Sequence, residues 1–239
     1  MRILPAYTGR RYGKSYIMIT NNESETFEKI ASQIRTLTGY TAVQRIPMGF
    51  SFDEKYVLSG SETKRYLVKI TVPANPKIIL KKQKEFDLIQ KLRQYSSLVQ
   101  NVYIVGTSDD EDVCFMVLDF IEGIDGTVAL NGMSDADQYR NGVLAGKEQK
   151  KMHALPAPVG MSGWYEVISA KYSRKVAAFD KLKIRLPGID REHLSRYIRK
   201  NISCIRDTSR VFLHRDYHPA NIIIDNGQLS GIIDFSRYE

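Results

Sequence analysis

Asp234 lies thirteen positions after Asn221, and an Asn-Gly pair, Asn226-Gly227, sits between two isoleucine runs at 222–224 and 232–233. Asn-Gly flanked by apolar runs is the strongest short hairpin signal, because a two-residue type I′ turn needs positive φ at both central residues. With a two-residue loop and an unbroken ladder, Asn221 stands opposite Ile232. Side chains alternate along a strand, so Asp234 then shares a face with Ile232 and with Asn221. An amide oxygen and a carboxylate on one face can share a hard cation such as Mg²⁺, which takes few protein ligands and keeps room for phosphate oxygens.

His214, Arg215 and Asp216 precede this hairpin, and Asn221 lies five residues after Asp216, giving HRDxxxxN. Asp216 would sit in the loop before the first strand, within reach of a hydroxyl aimed at a metal-bound phosphate, and could accept its proton. Singly, such polar residues cap and staple hairpins. Together, around five buried isoleucines, two acceptors at one hairpin end ask for a cation.

The rest of the chain supplies a scaffold of matching kind. Its 239 residues are 43% apolar, enough for one large domain or two lobes. Asn22 and Glu25 open a helix with Phe27, Ile30, Ala31, Ile34 and Leu37 on one face before Gly39. TAVQRIP, KYVLSG and RYLVKITV read as three antiparallel strands from Thr41. A helix over 78–95 and the strands VYIVGT and VCFMVLDF complete a β3-α-β2 lobe closing near Gly123. Ser134 with Asp137 opens a helix to about His153, ISAKYSRKVAAFDKLKI is helical, and Asp190 caps another helix. Lys69 sits amid apolar strand residues, and a charge so placed needs an anion.

Composition narrows the partners. The net charge of +8 comes from scattered Lys and Arg, and clusters such as KKQK (81–84) and KEQKK (147–151) read as solvated helix faces rather than a nucleic-acid surface. No apolar run approaches the roughly 20 residues of a membrane helix, and the N-terminus lacks a signal peptide's apolar stretch. A cytoplasmic protein with no membrane or nucleic-acid partner is expected. Cys114 and Cys204, without CxxC spacing, read as buried free thiols. TGRRYGKS (8–15) nearly spells a phosphate loop, but Thr8 holds the first glycine position and a strand-like run follows. His153, at a helix end before Pro156, reads as structural.

HRDYHPAN and IIDF together resemble the protein-kinase-like fold and, within it, the aminoglycoside phosphotransferase and choline kinase group, whose loop reads HxDxHxxN. The resemblance covers roughly residues 22–239. It implies an α+β, two-lobed protein-kinase-like fold: a leader at 1–40, a small antiparallel-sheet nucleotide lobe at 41–122 and a mainly helical lobe at 123–239. It implies Asp216 as catalytic base, Asn221 and Asp234 as Mg²⁺ ligands, and ATP or GTP as phosphate donor. The strand-three lysine falls on Lys69 and its helical partner on Glu85, sixteen residues later.

MGFSFDEKYVL lies where the family's nucleotide loop lies, with Gly49 alone in place of GxGxxG, and Ser51 matches its phosphate-binding serine. LDFIEG (118–123) matches the hinge that meets adenine, with Asp119 and Ile121 offering backbone groups and Ile233 beneath the base. The acceptor implied is a small hydroxylated molecule, an aminoglycoside by resemblance, with choline, homoserine or an amino sugar as alternatives. An aminoglycoside normally meets an acidic pocket, which a chain of this charge does not suggest. A nucleotide-binding but silent module is the other reading, and a protein kinase is disfavoured by the lack of GxGxxG, DFG and APE. In the family, further helices follow the IDF segment and complete the substrate pocket. These are expected to lie beyond Glu239, leaving the second lobe incomplete.

Overall fold

The computed structural model describes residues 25–46, 53–61, 63–182, 184 and 187–238. The expected cap at Asn22, the phosphate-loop decoy at 8–15, and Gly49 and Ser51 lie outside the described residues. Two compact units emerge: one runs to Met152 and resumes at His214, and the other is His153–Leu213.

The first unit begins with helix α1 (Glu25–Thr38), then strands β1 (Ala42–Ile46), β2 (Glu54–Ser59) and β3 (Arg65–Thr71), helix α2 (Pro76–Arg93), and strands β4 (Val102–Thr107) and β5 (Cys114–Asp119). The five strands form one antiparallel sheet in the order β1-β2-β3-β5-β4. Alternation along the strands sorts side chains to the two faces. Tyr56 and Leu58, Val68 and Ile70, and Phe115 and Val117 face α1, whose Phe27, Ile30 and Ile34 are wholly buried against them. Each such side chain contributes about 2 kcal/mol of burial. Lys69 lies between Val68 and Ile70 and is thereby turned to the opposite face, where it meets α2.

Two expectations change here. Leu37 is 42% exposed, because Gly39 (φ +58°) turns the chain and Tyr40 packs edge-on against Phe27 in its place. Helix α2 starts two residues earlier than the periodicity indicates, since Asn75 caps it by accepting from the Ile78 amide and Pro76 stands at its first turn.

After β5, the short strand β6 (Ile124–Asp125) leads into the single-turn helix α3 (Gly126–Ala129), capped by Asp125. Helix α4 (Asp135–Met152) is opened by Ser134, whose hydroxyl accepts from the Asp137 amide and donates to its carboxylate. Strand β7 (Ile222–Asp225) pairs with β6 on one side and with β8 (Gln228–Ile232) on the other, giving a second sheet ordered β6-β7-β8. A parallel bridge from Val99 to Ile232, with the Ile232 amide bonded to Leu98 O at 2.9 Å, ties this sheet to the segment between α2 and β4. The second unit holds α5 (Trp164–Leu182) and α6 (Arg191–Asn201), the latter capped by Asp190. Cys114 is buried and Cys204 exposed, so only the first thiol sits as expected; Cys204 lies in the 3-10 turn after α6, where no residue is buried. Among the described residues no helix is long and apolar enough to cross a membrane.

Candidate active site

The closing hairpin has the two-residue turn that Asn226-Gly227 predicts, with φ of +47° and +78°. Its register differs from expectation. Asp225 pairs with Gln228 and Ile224 with Leu229, but Ile223 pairs with Gly231 and Ile222 with Ile232, so Ser230 is an extra residue. The bulge has a physical anchor: the Ser230 hydroxyl reaches both Ile223 O (3.2 Å) and Glu122 O (3.1 Å). Asn221 therefore stands opposite Ile233, whose amide donates to Asn221 O at 3.0 Å, rather than opposite Ile232. Strand alternation does not aim Asp234 either. Strand β8 ends at Ile232, and Asp234 adopts φ +65°, a left-handed conformation that costs a non-glycine residue about 1 kcal/mol.

What positions Asp234 is a clamp on the residue before it. The Ile233 amide is taken by Asn221 O, and the Ile233 carbonyl accepts from His214 Nε2 at 3.0 Å. His214 and Asn221 are the two ends of the HRDYHPAN loop, so this loop grips the strand from both sides. His214 is 1% exposed and packs between Tyr217 and Phe235. Burial holds its pKa below the ordinary imidazole value, outweighing the nearby carbonyl and carboxylates, so the ring is neutral and donates through Nε2. Tyr217 fixes the loop from outside by donating to Ala145 O on α4 at 2.7 Å, and burial pushes its hydroxyl pKa up.

Asp216 sits in the middle of the gripped loop, just after Arg215 at φ +49°. Its side chain is 24% exposed, with Oδ1 3.5 Å from His218 Nε2 and Oδ2 3.6 Å from Arg237 Nη1. Those distances leave both oxygens able to accept a shorter bond. Asn221 is 9% exposed and donates through Nδ2 to Asp216 O at 3.0 Å, which leaves Oδ1 as its outward acceptor.

The sheet supplies the cation. Lys69 is 7% exposed, and its Nζ forms a long ion pair with Glu85 Oε1 at 3.8 Å. Burial opposes its charge, but Glu85, then Asp234 and Asp53, outweigh that and hold its pKa above the ordinary value. Asp234 answers in kind: burial alone would raise its pKa, yet Lys69 and the Ser236 hydroxyl, 2.7 Å from Oδ1, keep the carboxyl below its usual range. Lys69, Glu85 and Asp234 thus form one electrostatic group, although the first and last lie 165 positions apart in sequence. Glu85 Oε1 is buried without a hydrogen-bond partner, so the group has unspent capacity.

Sequence reasoning missed three buried polar or charged residues, and one of them, Lys82, joins this group through Asp53. Lys82, in the KKQK cluster taken for a solvated face, is 7% exposed and bonds Asp53 at 2.7 Å; Asp53 also accepts from Thr71 and faces Lys69. Lys82 is three residues before Glu85, one helical turn away, and that spacing was the available signal. Glu148, in KEQKK, is likewise buried and accepts from the Ser96 hydroxyl at 2.6 Å. Asn141 is a third: its amide donates to Gly227 O and its oxygen accepts from the Leu229 amide, holding the hairpin tip on α4.

At the expected hinge, Asp119 has its amide on Asn101 O, its carbonyl accepting from Gln100 Nε2 at 2.8 Å, and its carboxylate on Asn101, Tyr103 and Lys64. Only a second carbonyl lone pair is left to it. The backbone of Ile121 makes no hydrogen bond among the described residues, and its side chain covers Gly231, where any Cβ would fall 2.3 Å from it. Ile233 is half-buried beside the clamp.

A family model, the phosphotransferase enzyme family APH, matches residues 42–239. The chain belongs to that family. Solved phosphotransferases share the fold: aminoglycoside phosphotransferase APH(2'')-Ib with ADP bound superposes with a TM-score of 0.61 at 16% identity, over 88% of this chain and 70% of the other. The streptomycin–ATP ternary complex of APH(2'')-IIa gives 0.60 at 17% identity, over 92% and 72%. Macrolide 2'-phosphotransferase MphH from Brachybacterium faecium gives 0.62 at 10% identity, over 89% and 72%. Among curated proteins none matches the chain. As an APH-family phosphotransferase, the molecule has the α+β kinase-like architecture that HRDYHPAN and IIDF imply, with the five-stranded antiparallel sheet as the framework of its N-terminal lobe.

Proposed function

We propose that this APH-family protein transfers the γ-phosphate of ATP or GTP to a hydroxyl of a small molecule in the cytoplasm. Residues 41–122 serve as nucleotide lobe and 123–239 carry the transfer site. The observation that supports this best is the double hydrogen bond on Ile233, which holds Asp234 where it interacts with Lys69 and ties it to the loop that carries Asp216. Asp216 takes the acceptor hydroxyl's proton on an oxygen that, among the described residues, no tight hydrogen bond occupies. Lys69, kept charged, holds phosphate oxygens, and Glu85 orients it from α2 through a long ion pair.

The donor set fits Mg²⁺. Among the described residues no group of three or more His, Cys, Asp or Glu is placed to hold a metal, so the chain offers at most Asn221 Oδ1 and the ionised Asp234. Two oxygen donors with open positions suit an ion that binds largely through phosphates and water. Bound there, Mg²⁺ would neutralise charge on the phosphates. Ser51 is assigned to the phosphates, the Asp119 carbonyl and the Ile121 amide to adenine, and Ile233 to the base's apolar face. Aminoglycosides, macrolides, choline and other hydroxylated metabolites form the acceptor panel.

Replacing Asp216 by Ala is expected to lower kcat by about 10²–10⁴-fold with nucleotide affinity nearly unchanged. Steady-state phosphorylation across the panel, beside calorimetric ATP binding, measures both. Near-normal turnover in Asp216→Ala would refute the role given to it.

A further inference from the structure

Next to Asp216 lies an open cavity of about 540 Å³, lined by Lys81, Arg215, Ser236, Arg237 and Tyr238. That volume is in the range of small-molecule sites. Among the described residues its lining carries three cationic side chains and no carboxylate, although Arg237 faces Asp216 and Arg215 has an interaction of its own. Lys81 and Arg237 are the cations whose remaining capacity an anion in that space would meet.

Arg237 spans the cavity and the proposed base, since its guanidinium is 3.6 Å from Asp216 Oδ2 and its side chain is 70% exposed. One carboxylate at that distance leaves most of its five donors unspent. Lys81 is exposed on α2, one turn before Glu85, and has no carboxylate partner among the described residues. The Ser236 hydroxyl gives its proton to Asp234. Burial first, then the carboxylates of Glu85 and Asp87, hold the Tyr238 pKa up, so its hydroxyl remains a donor. Ammonium, guanidinium and phenol together form a donor-rich set.

We infer that this cavity seats an oxyanion, a phosphate or carboxylate carried by the acceptor, so that the acceptor is an anionic hydroxylated small molecule rather than a polycation. The inference rests on the phosphotransfer reading and names its substrate class. Arg237 ties the two ends together: with one end of the acceptor held by Arg237, a hydroxyl a few bonds away is delivered to Asp216. An aminoglycoside, carrying several ammonium groups, would place cation against cation at the same spot.

The test uses the full chain with its nucleotide site filled by Mg·AMP-PNP, and inorganic phosphate as probe. Calorimetry is expected to show saturable phosphate binding that weakens about 10-fold or more in Lys81→Glu and in Arg237→Glu. The milder Lys81→Gln and Arg237→Gln variants, which leave these exposed positions uncharged, are expected to weaken it in the same direction. No saturable binding, or binding unchanged in all four variants, overturns the site.

The second arm measures transfer from ATP to sugar phosphates and hydroxy acids, to neutral sugars, and to kanamycin and choline. Phosphorylation of an anionic compound, with phosphate competing against it and KM raised about 10-fold in Lys81→Glu, supports the acceptor assignment. Preferential phosphorylation of kanamycin or choline overturns it, as does phosphate that binds without raising the acceptor's KM. Phosphate binding that meets the first test alongside no transfer to any compound leaves the anion site standing and overturns the phosphotransfer reading instead.

Discussion

His214 is neutral because of where it is buried, and that makes the grip on Ile233 sensitive to acid. An imidazole whose folded pKa lies below its unfolded value of about 6.5 binds fewer protons folded than unfolded. Its contribution is complete above about pH 6.5 and is lost as pH falls through that value toward the lowered folded pKa. The melting temperature is expected to drop between about pH 7.5 and about pH 5.5, and less steeply in His214→Gln. An unchanged slope in that variant would rule out His214 as the cause. The Asp53–Lys82 pair gives a second expectation at this scale. Lys82→Met leaves the Asp53 carboxylate, itself 15% exposed, without its close ion pair and with only the Thr71 hydroxyl and the more distant Lys69, and should destabilise by about 3 kcal/mol in urea unfolding. The double variant Asp53→Leu, Lys82→Met should recover much of that loss, because two apolar side chains leave no buried charge unpaired.

At the scale of elements, the hairpin and the segment before β6 fit together through glycines that admit no side chain. Gly123 has φ +123°, and a Cβ there would lie 2.4 Å from Ile224 O, a backbone atom of β7 that cannot swing aside. Gly123→Ala is therefore expected to cost about 3 kcal/mol, measured as a shift in the urea midpoint. A shift below about 1 kcal/mol would mean that β6 and β7 are less closely apposed than described. Gly227→Ala, by contrast, meets no neighbour within 4 Å and carries only the strain of φ +78°. The turn was legible in the sequence because Asn-Gly encodes it locally. The bulge was not, because Ser230 is held by carbonyls of Ile223 and Glu122, and Glu122 is 108 residues distant.

Over the whole molecule, binding of nucleotide should register as stability. A ligand that binds only the folded chain at about 100 times its dissociation constant adds about 2.7 kcal/mol. Mg·ATP is expected to raise the melting temperature of the wild type and of Asp216→Ala alike, whereas Lys69→Met removes most of the rise. Equal stabilisation of the Lys69 variant would take that residue out of the phosphate site. The charge of the molecule also reads differently once folded. Of the clusters in a chain of net charge +8, part is spent inside, on Asp53 through Lys82, and part gathers around one cavity as Lys81, Arg215 and Arg237.

The sequence by itself determined the elements and the family: periodic apolar residues set α1, α2 and the sheet, local caps set helix starts, and HRDYHPAN with IIDF carried the kinase-like resemblance. All of these depend on residues close together in the chain. The tertiary structure decided which charges meet. Lys69 faces Glu85 and Asp234, Lys82 turns inward to Asp53, and Ile233 is held by His214 and Asn221 through contacts between segments distant in sequence. It also decided that the carboxylate of Asp234 is aimed by a left-handed backbone and a clamp, not by strand alternation. That depends on a bulge one residue wide, whose anchors no local pattern records.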